Sequence, residues 1–259
     1  MLHTLAIAGY RSLRDFVIPL KGTLSLIDTL ILFGIFLAYV RAAGRTAHDE
    51  PELEGPAQAI ASLGTRRRRL VTAFLGLVSG AAILTAAEPF AEGLVATGRH
   101  FAIEEFLLVQ WLAPLASESP EFVVAILFAL KGAAAAGIGT MISSKVNQWT
   151  LLVGALPLAF ALSSGAMHHM VLDDRQREEI FLTSAQSVFG LVVIANYRFD
   201  ITEALMLFAL LALQLFFTSP EARWAYAGAY LLLSAGIIAT RPDTRRAVGR
   251  LLVGRRVAT

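Results

Sequence analysis

Residues 106–149 read FLLVQWLAPLASESPEFVVAILFALKGAAAAGIGTMISSKVNQW and contain two long apolar segments that join at Lys131-Gly132. Each segment carries polar residues near its centre, SESPE at 117–121 and TMISSKVNQ at 140–148. Ionisable groups at bilayer depth are costly and are normally retained because something polar binds or passes there. The stretch therefore predicts a membrane hairpin whose polar centre is the functional part of the protein.

The composition of the whole chain indicates an integral membrane protein. Hydrophobic residues make up 56% of the sequence, and the mean hydropathy is +0.63. Several apolar runs approach the roughly 20 residues that a helix needs to cross a bilayer. Helices satisfy their own backbone hydrogen bonds in lipid. We therefore predict an all-α, polytopic helical membrane protein with about seven transmembrane helices.

Several functional classes are disfavoured by residue content. The chain has no cysteine, which excludes disulfides, thiolate metal sites and a cysteine nucleophile. His168 and His169 are adjacent and do not match metal-ligand spacing. No serine–histidine spacing supports an intramembrane enzyme. We therefore expect no enzyme activity and no cofactor besides a transported cation. We also expect no nucleic-acid partner, because arginine clusters beside spans are typical of cytoplasmic loops.

The arginine clusters also predict the organisation and orientation of the chain. Residues 1–69 read as a partial N-terminal region with one transmembrane helix and a basic linker that ends in Arg66–Arg69. Residues 70–240 form the main transmembrane domain, and residues 241–259 form a basic tail. The positive-inside rule puts the linker and the C-terminus in the cytoplasm. The expected location is a bacterial inner membrane, with membrane lipid as a partner.

The first segment of the hairpin combines acids with a helix-breaking proline. Glu118 and Glu121 are three residues apart, and Ser117 lies one turn before Glu121. Pro120 removes a backbone hydrogen bond and frees carbonyl oxygens nearby. Oxygen ligands of this kind suit sodium or calcium ions. The simpler alternative is that small polar residues only hold two helices together, which explains the serines but not two glutamates beside a proline.

The second segment repeats polar side chains along one face of a helix. Thr140, Ser144 and Asn147 recur every three or four residues, after glycines that loosen the helix. Broken helices at mid-membrane are typical of secondary transporters. The candidate cation-binding residues of the two segments are Ser117, Glu118, Glu121, Thr140, Ser144, Lys145 and Asn147. We expect Lys145 to act as an internal counter-cation to Glu118 and Glu121; a static salt bridge is the alternative.

Residues 80–149 resemble the second α-repeat of the sodium/calcium exchanger superfamily of cation antiporters. Glu88 and Glu92 stand where that repeat has spaced acids, and AIEEF (102–106) takes the place of its corner. LASESPE (115–121) stands where the family has GTSxPE, and TMISSKVNQ (140–148) replaces an asparagine-rich motif. Glu118 stands in place of a serine and Lys145 in place of an asparagine.

The resemblance implies a metal site and half of an inverted-repeat exchanger fold. Glu121 matches the family's principal cation-binding glutamate, Ser117 its threonine and Ser144 its serine. Only one repeat is visible, so the chain resembles the C-terminal half of an exchanger. Either a first repeat is lost by truncation, or a second copy or a complementary half completes the site.

These observations lead to two hypotheses from different classes. The first is a secondary-active antiporter for Na+, Ca2+ or H+, in a truncated or half-size form, with a monovalent or divalent cation and a proton as ligands. The second is a non-transporting membrane scaffold or regulatory subunit that retains the exchanger fold. We further expect a homo-oligomer or a complementary chain, because an open polar face is costly in lipid.

Overall fold

The computed structural model describes residues 16–44, 55–103, 113–196, 199–214, 216–217 and 219–253. This part of the chain is helical apart from turns and two short strands. The helices are α1 (Val17–Lys21), α2 (Leu26–Gly44), α3 (Pro56–Ala61), α4 (Thr65–His100), α5 (Ala113–Leu130), α6 (Ala134–Asn147), α7 (Val153–Ser164), α8 (Asp174–Ile194), α9 (Ile201–Gln214), α10 (Pro220–Thr240) and α11 (Pro242–Val253). A π-helical turn, Gln148–Leu152, joins α6 to α7 without a break. The all-α prediction is confirmed.

Four of the described helical stretches are long and apolar enough to cross a membrane: Leu26–Gly44, Thr65–His100, Ala134–Ser164 and Pro220–Thr240. The expected number of seven transmembrane helices is therefore not established. The predicted turn at Lys131-Gly132 is present, and Gly132 has a φ of 78°, which glycine adopts without strain. The corner at 102–106 lies only partly within the described residues.

The chain divides into two compact units. The first unit lies within residues 1–46 and 135–259, and the second unit lies within residues 47–134. The three regions predicted above, 1–69, 70–240 and 241–259, remain a prediction about the organisation of the chain.

Helices α8 and α10 form the centre of the first unit and run parallel to each other. Phe189 and Tyr230 are buried between them, with ring centroids 5.5 Å apart. One helical turn before Phe189, the side chain of Gln186 donates a 2.7 Å hydrogen bond to Gln214 of α9. At the start of the pair, Arg223 of α10 donates a 3.0 Å hydrogen bond to Glu178 of α8. Side-chain amides and ions that are paired in this way can be buried at tolerable cost.

Local signals explain where α8 begins. The side chain of Asp173 accepts a 2.7 Å bond from the backbone N–H of Gln176, and the side chain of Gln176 accepts from the backbone of Asp173. This capping box satisfies two otherwise unpaired N–H groups. Just before it, β2 (Met170–Val171) pairs antiparallel with β1 (Thr23–Leu24). The strands join the segment before α2 to the segment before α8.

Helix α11 is the last described helix and has one buried face. Thr244, Ala247 and Leu251 recur at helical spacing and are buried. Ala247 and Leu251 pack in one cluster with Ala195, which follows α8, and with Ile142 of α6. The basic tail thus begins as an amphipathic helix that packs against other helices of the first unit.

Candidate functional site

The acidic part of the predicted site lies on α5, in the second unit. Successive residues of an α-helix are rotated by about 100°, so Ser117, Glu121 and Glu118 fall within an arc of about 100° with Glu121 in the middle. Pro120 lies inside this helix, and a proline there leaves a backbone carbonyl one turn earlier without its N–H partner. Two carboxylates and a hydroxyl therefore lie on one side of a helical segment that also contains a carbonyl freed by Pro120.

Glu121 has an unusual side chain within the described residues. Its Oε2 atom is buried and has no hydrogen-bond partner there. A buried carboxylate oxygen that lacks a donor carries a large desolvation cost, so such groups are normally paired, protonated or bound to a metal ion. The chemistry of this atom therefore fits a cation or proton site.

The hydroxyl and amide part of the predicted site lies on α6, in the first unit. By the same rotation, Thr140, Ser143, Ser144 and Asn147 fall within an arc of about 100°. Thr140, Ser143 and Ser144 are half-buried, and Asn147 is exposed. Thr140 donates a 3.0 Å bond to the carbonyl of Ala136 in its own helix. Donating this bond leaves the lone pairs of the Thr140 hydroxyl oxygen available to accept a hydrogen bond or to ligate a cation.

Lys145 lies outside that polar arc. Its position on α6 is about 140° around the helix from Thr140. Glu118 and Glu121 belong to the second unit, whereas Lys145 belongs to the first. The role of Lys145 as counter-cation, and the meeting of the α5 and α6 residues around one ion, stay predictions.

The helix that carries the polar arc is irregular just after it. The π-helical turn begins at Gln148, one residue after Asn147. Thr150 in this turn is fully buried, and its hydroxyl donates a 2.5 Å bond to the carbonyl of Val146. Single π-helical turns inside α-helices are frequent at functional sites. The sequence suggested a loosened helix here but gave no signal for a π turn.

Sequence reasoning missed one residue next to the polar arc. Tyr39 of α2 donates a 2.6 Å hydrogen bond to the hydroxyl of Ser143. The two residues are 104 positions apart in the sequence, so no local pattern connects them. Asp28, the acidic residue near the start of α2, is held by Lys21 and by the backbone and hydroxyl of Ser25.

A metal site made only of acidic and histidine side chains is not found in the described part of the chain. No group of three or more His, Asp or Glu residues comes together there. Any cation bound by the described residues would need hydroxyl, amide and carbonyl oxygens beside a carboxylate. The residue types on α5 and α6 meet that requirement.

Comparison with known proteins identifies the family. The family model "Sodium/calcium exchanger protein" matches residues 71–219. The crystal structure of the H+/Ca2+ exchanger CAX has a TM-score of 0.87 and 38% sequence identity, and the match covers 97% of this chain. This chain spans 66% of the length of that protein's chain. No curated protein matches.

The family match confirms the resemblance seen in the sequence, and the matching structure has the same fold as this chain. The matched residues include both the LASESPE and the TMISSKVNQ motifs. Members of this family are transporters and not enzymes, and the ions that they move are substrates rather than cofactors. The chain is an integral membrane protein that belongs to the sodium/calcium exchanger family.

Proposed function

We propose that the protein is a secondary-active cation antiporter that exchanges Ca2+ for H+. The observation that carries the proposal is the buried Oε2 atom of Glu121 beside Pro120, which has no hydrogen-bond partner among the described residues. A carboxylate in this state can take up either a proton or a metal ion but not both at once. Competition between the two ligands for one oxygen is the simplest basis for exchange.

We propose calcium rather than sodium as the transported cation for two reasons. The CAX structure, with 38% identity over 97% of this chain, is described as an H+/Ca2+ exchanger. In addition, two carboxylates on one side of α5 supply the charge that a divalent ion requires, together with the hydroxyls of Ser117 and Ser144. Sodium exchange remains the competing proposal, and flux measurements with each ion distinguish the two.

The roles of the other site residues follow from their chemistry. Glu121 is the central ligand, and Ser117 and Ser144 supply neutral oxygen atoms to the same ion. Glu118 adds negative charge, while Thr140 and Asn147 extend the polar arc of α6. Lys145 stands where a further ligand would be expected, and an ammonium group there would favour proton coupling over tight metal binding.

We further propose that the C-terminus faces the cytoplasm of a bacterial cell. Arg66–Arg69 open α4, and arginines recur in α11, which follows α10 directly. If α4, α5, α6–α7, α8, α9 and α10 each cross once, both basic segments lie on the same side, as the positive-inside rule requires. Because the natural chain has no cysteine, single cysteines added at residues 66 and 250 can be labelled with an impermeant reagent; labelling from outside intact cells would overturn this orientation.

Helix α4 supports a proposal about partners. Its apolar side chains are exposed over nearly its whole length; for example, Leu77 is 76% and Leu84 is 79% exposed. Such surface faces lipid or packs against another protein chain, and Gly76 and Gly80 would allow close packing. We expect a second copy or a complementary chain. A transport-active monomer in liposomes, identified by cross-linking and mass measurement, would contradict this expectation.

Ion flux into proteoliposomes tests the proposed function directly. Liposomes loaded at low pH and diluted into alkaline buffer with calcium should take up calcium and release protons. Glu121→Gln keeps the shape of the side chain and should reduce the rate at least about 100-fold, because a first ligand and proton carrier is lost. Glu221→Gln, at the exposed start of α10, is the matched control and should retain activity.

Two results would overturn the proposal. A folded wild-type protein that catalyses no cation-dependent proton flux, with calcium or with sodium, would favour the scaffold hypothesis. A Glu121→Gln variant that transports as well as wild type would remove the central ligand from the mechanism even if transport occurs.

A further inference from the structure

Helix α2 contacts the continuous helical stretch α6–α7 at two positions. At the first position, a Cβ atom added to Gly154 of α7 would lie 3.0 Å from Cβ of Leu32 and 3.1 Å from the ring of Phe33. Leu32 is 3% exposed. At the second position, Tyr39 reaches Ser143 of α6. Leu32 and Tyr39 are seven residues apart, which is close to two helical turns, so they project from the same side of α2.

The two contacts differ in chemistry. Close packing at Gly154 is apolar and needs no hydrogen bond to hold the helices together. The contact at Ser143 is a 2.6 Å hydrogen bond between two hydroxyl groups. Ser143 belongs to the same polar arc as Thr140 and Asn147, so the tyrosine meets α6 on its polar side.

The bond also distinguishes Ser143 from nearby hydroxyl residues. Thr140 and Thr150 both donate to carbonyls of their own helical segment, at 3.0 and 2.5 Å. This back-bonding is the usual state of a helical hydroxyl in an apolar environment. Ser143 instead accepts from a residue on another helix. A fixed donor at that position restricts the rotamer of the serine and the spacing of the oxygens beside it.

We propose that Tyr39 is a positioning residue that orients the polar arc of α6 for cation binding. The inference rests on the proposed function and adds to it a residue from α2, outside the hairpin that carries the ligands. Tyr39 does not ligate the ion; it holds Ser143, and through Ser143 the alignment of Ser144 and Asn147. Side chains that orient the ligands without touching the ion themselves affect metal affinity.

Tyr39→Phe removes only the hydroxyl and tests the proposal. In the full-length protein, the apparent affinity for calcium should weaken about 3- to 10-fold, the range expected for one lost neutral hydrogen bond. The maximal transport rate and the melting temperature measured without calcium should stay close to wild type. Ser143→Ala should have the same effect, and the double variant should bind calcium no more weakly than either single variant, since all three lose the same bond.

Two variants serve as matched controls. Tyr226→Phe changes a half-buried tyrosine of α10, and Ser164→Ala changes an exposed serine at the end of α7. Neither should alter calcium affinity. They account for any general effect of removing a hydroxyl from the first unit.

The outcomes separate this inference from the proposed function. If wild type binds calcium, Glu121→Gln loses binding and Tyr39→Phe binds like wild type, the positioning role is wrong. Loss of melting temperature in Tyr39→Phe with unchanged affinity also overturns it, because the bond would then only hold helices together. If wild type and Glu121→Gln are alike in failing to bind calcium or exchange protons, the proposed function itself has failed.

Discussion

The two helices that carry the candidate site are held by the protein in different ways. On α6, Ser143 is bonded to α2, and Ile142 packs in a cluster with α11. On α5, apolar side chains such as Ile126 and Leu130 are 56% and 79% exposed. Exposed apolar surface in a membrane protein faces lipid or a partner chain. The candidate residues of α6 therefore lie on a helix that other helices of the first unit contact, whereas the candidate residues of α5 lie on a helix whose apolar side chains are largely exposed.

This difference predicts that the two units respond differently to mutation. Changes that remove a buried charge or disturb close helix packing in the first unit should lower stability whether or not they touch the site. Changes to the carboxylates of α5 should alter transport and leave stability nearly unchanged. Glu121→Gln is the clearest case of the second kind, and the following substitutions test the first kind, from the largest expected effect to the smallest.

The ion cluster at the start of α8 and α10 should give the largest loss of stability. Arg223 lies 3.0 Å from Glu178 and 3.7 Å from Glu179, and its side chain is 7% exposed. Arg223→Met removes the cation and leaves two partly buried carboxylates without it. We expect a loss of about 3–5 kcal/mol in the free energy of unfolding, because uncompensated buried charge is costly.

Thermal or denaturant unfolding in detergent measures this loss. Arg246→Met is the matched control: Arg246 also pairs with an acid, Asp243, but its side chain is 74% exposed. Exposed pairs contribute about 0–1 kcal/mol. If the two arginine variants unfold alike, the cluster does not stabilise the first unit in the way its burial indicates.

Gly154→Ala should produce a smaller loss at the crossing of α2 and α7. The added methyl group would lie 3.0 Å from Cβ of Leu32, an atom fixed to the backbone that cannot turn away. Overpacking of this kind typically costs about 1–3 kcal/mol. Gly236→Ala in α10, where a Cβ meets nothing within 4 Å, is the control and should be neutral or slightly stabilising. Equal melting temperatures for the two variants would show that α2 is free to move away from α7.

Much of the fold could be predicted from the sequence because its signals are local. Apolar runs of membrane length, arginine clusters and the Lys131-Gly132 turn each depend on neighbouring residues. The LASESPE motif likewise brings Ser117, Glu118 and Glu121 to one side of a helix through spacing alone. These features require no knowledge of the distant parts of the chain.

What could not be predicted depends on contacts between distant residues. The hydrogen bond between Tyr39 and Ser143 and the pairing of Thr23–Leu24 with Met170–Val171 each join segments more than 100 positions apart. The π turn at Gln148–Leu152 has no residue pattern of its own, and Thr150 within it reads as an ordinary helical threonine. The basic composition of the tail does not say that α11 packs near Ile142 of α6.

Lys145→Asn should have the smallest effect and tests whether Lys145 acts on Glu118 and Glu121. An ammonium near Glu118 and Glu121 would offset their negative charge and would compete with a metal ion for the same space. Its removal should raise the apparent affinity for calcium by about 3-fold, a fraction of a kcal/mol in coupling, and should alter the pH dependence of exchange. The effect is expected to be modest because Lys145 lies outside the polar arc of α6.

Calcium-dependent proton flux measured across a range of pH decides between the counter-cation and a static salt bridge. Lys131→Asn, at the exposed turn between α5 and α6, removes the same charge away from the polar centre and should leave the pH profile unchanged. If Lys145→Asn also leaves affinity and pH profile unchanged, then Lys145 does not act on the carboxylates. Proton coupling would in that case reside in Glu118 and Glu121 without a contribution from Lys145.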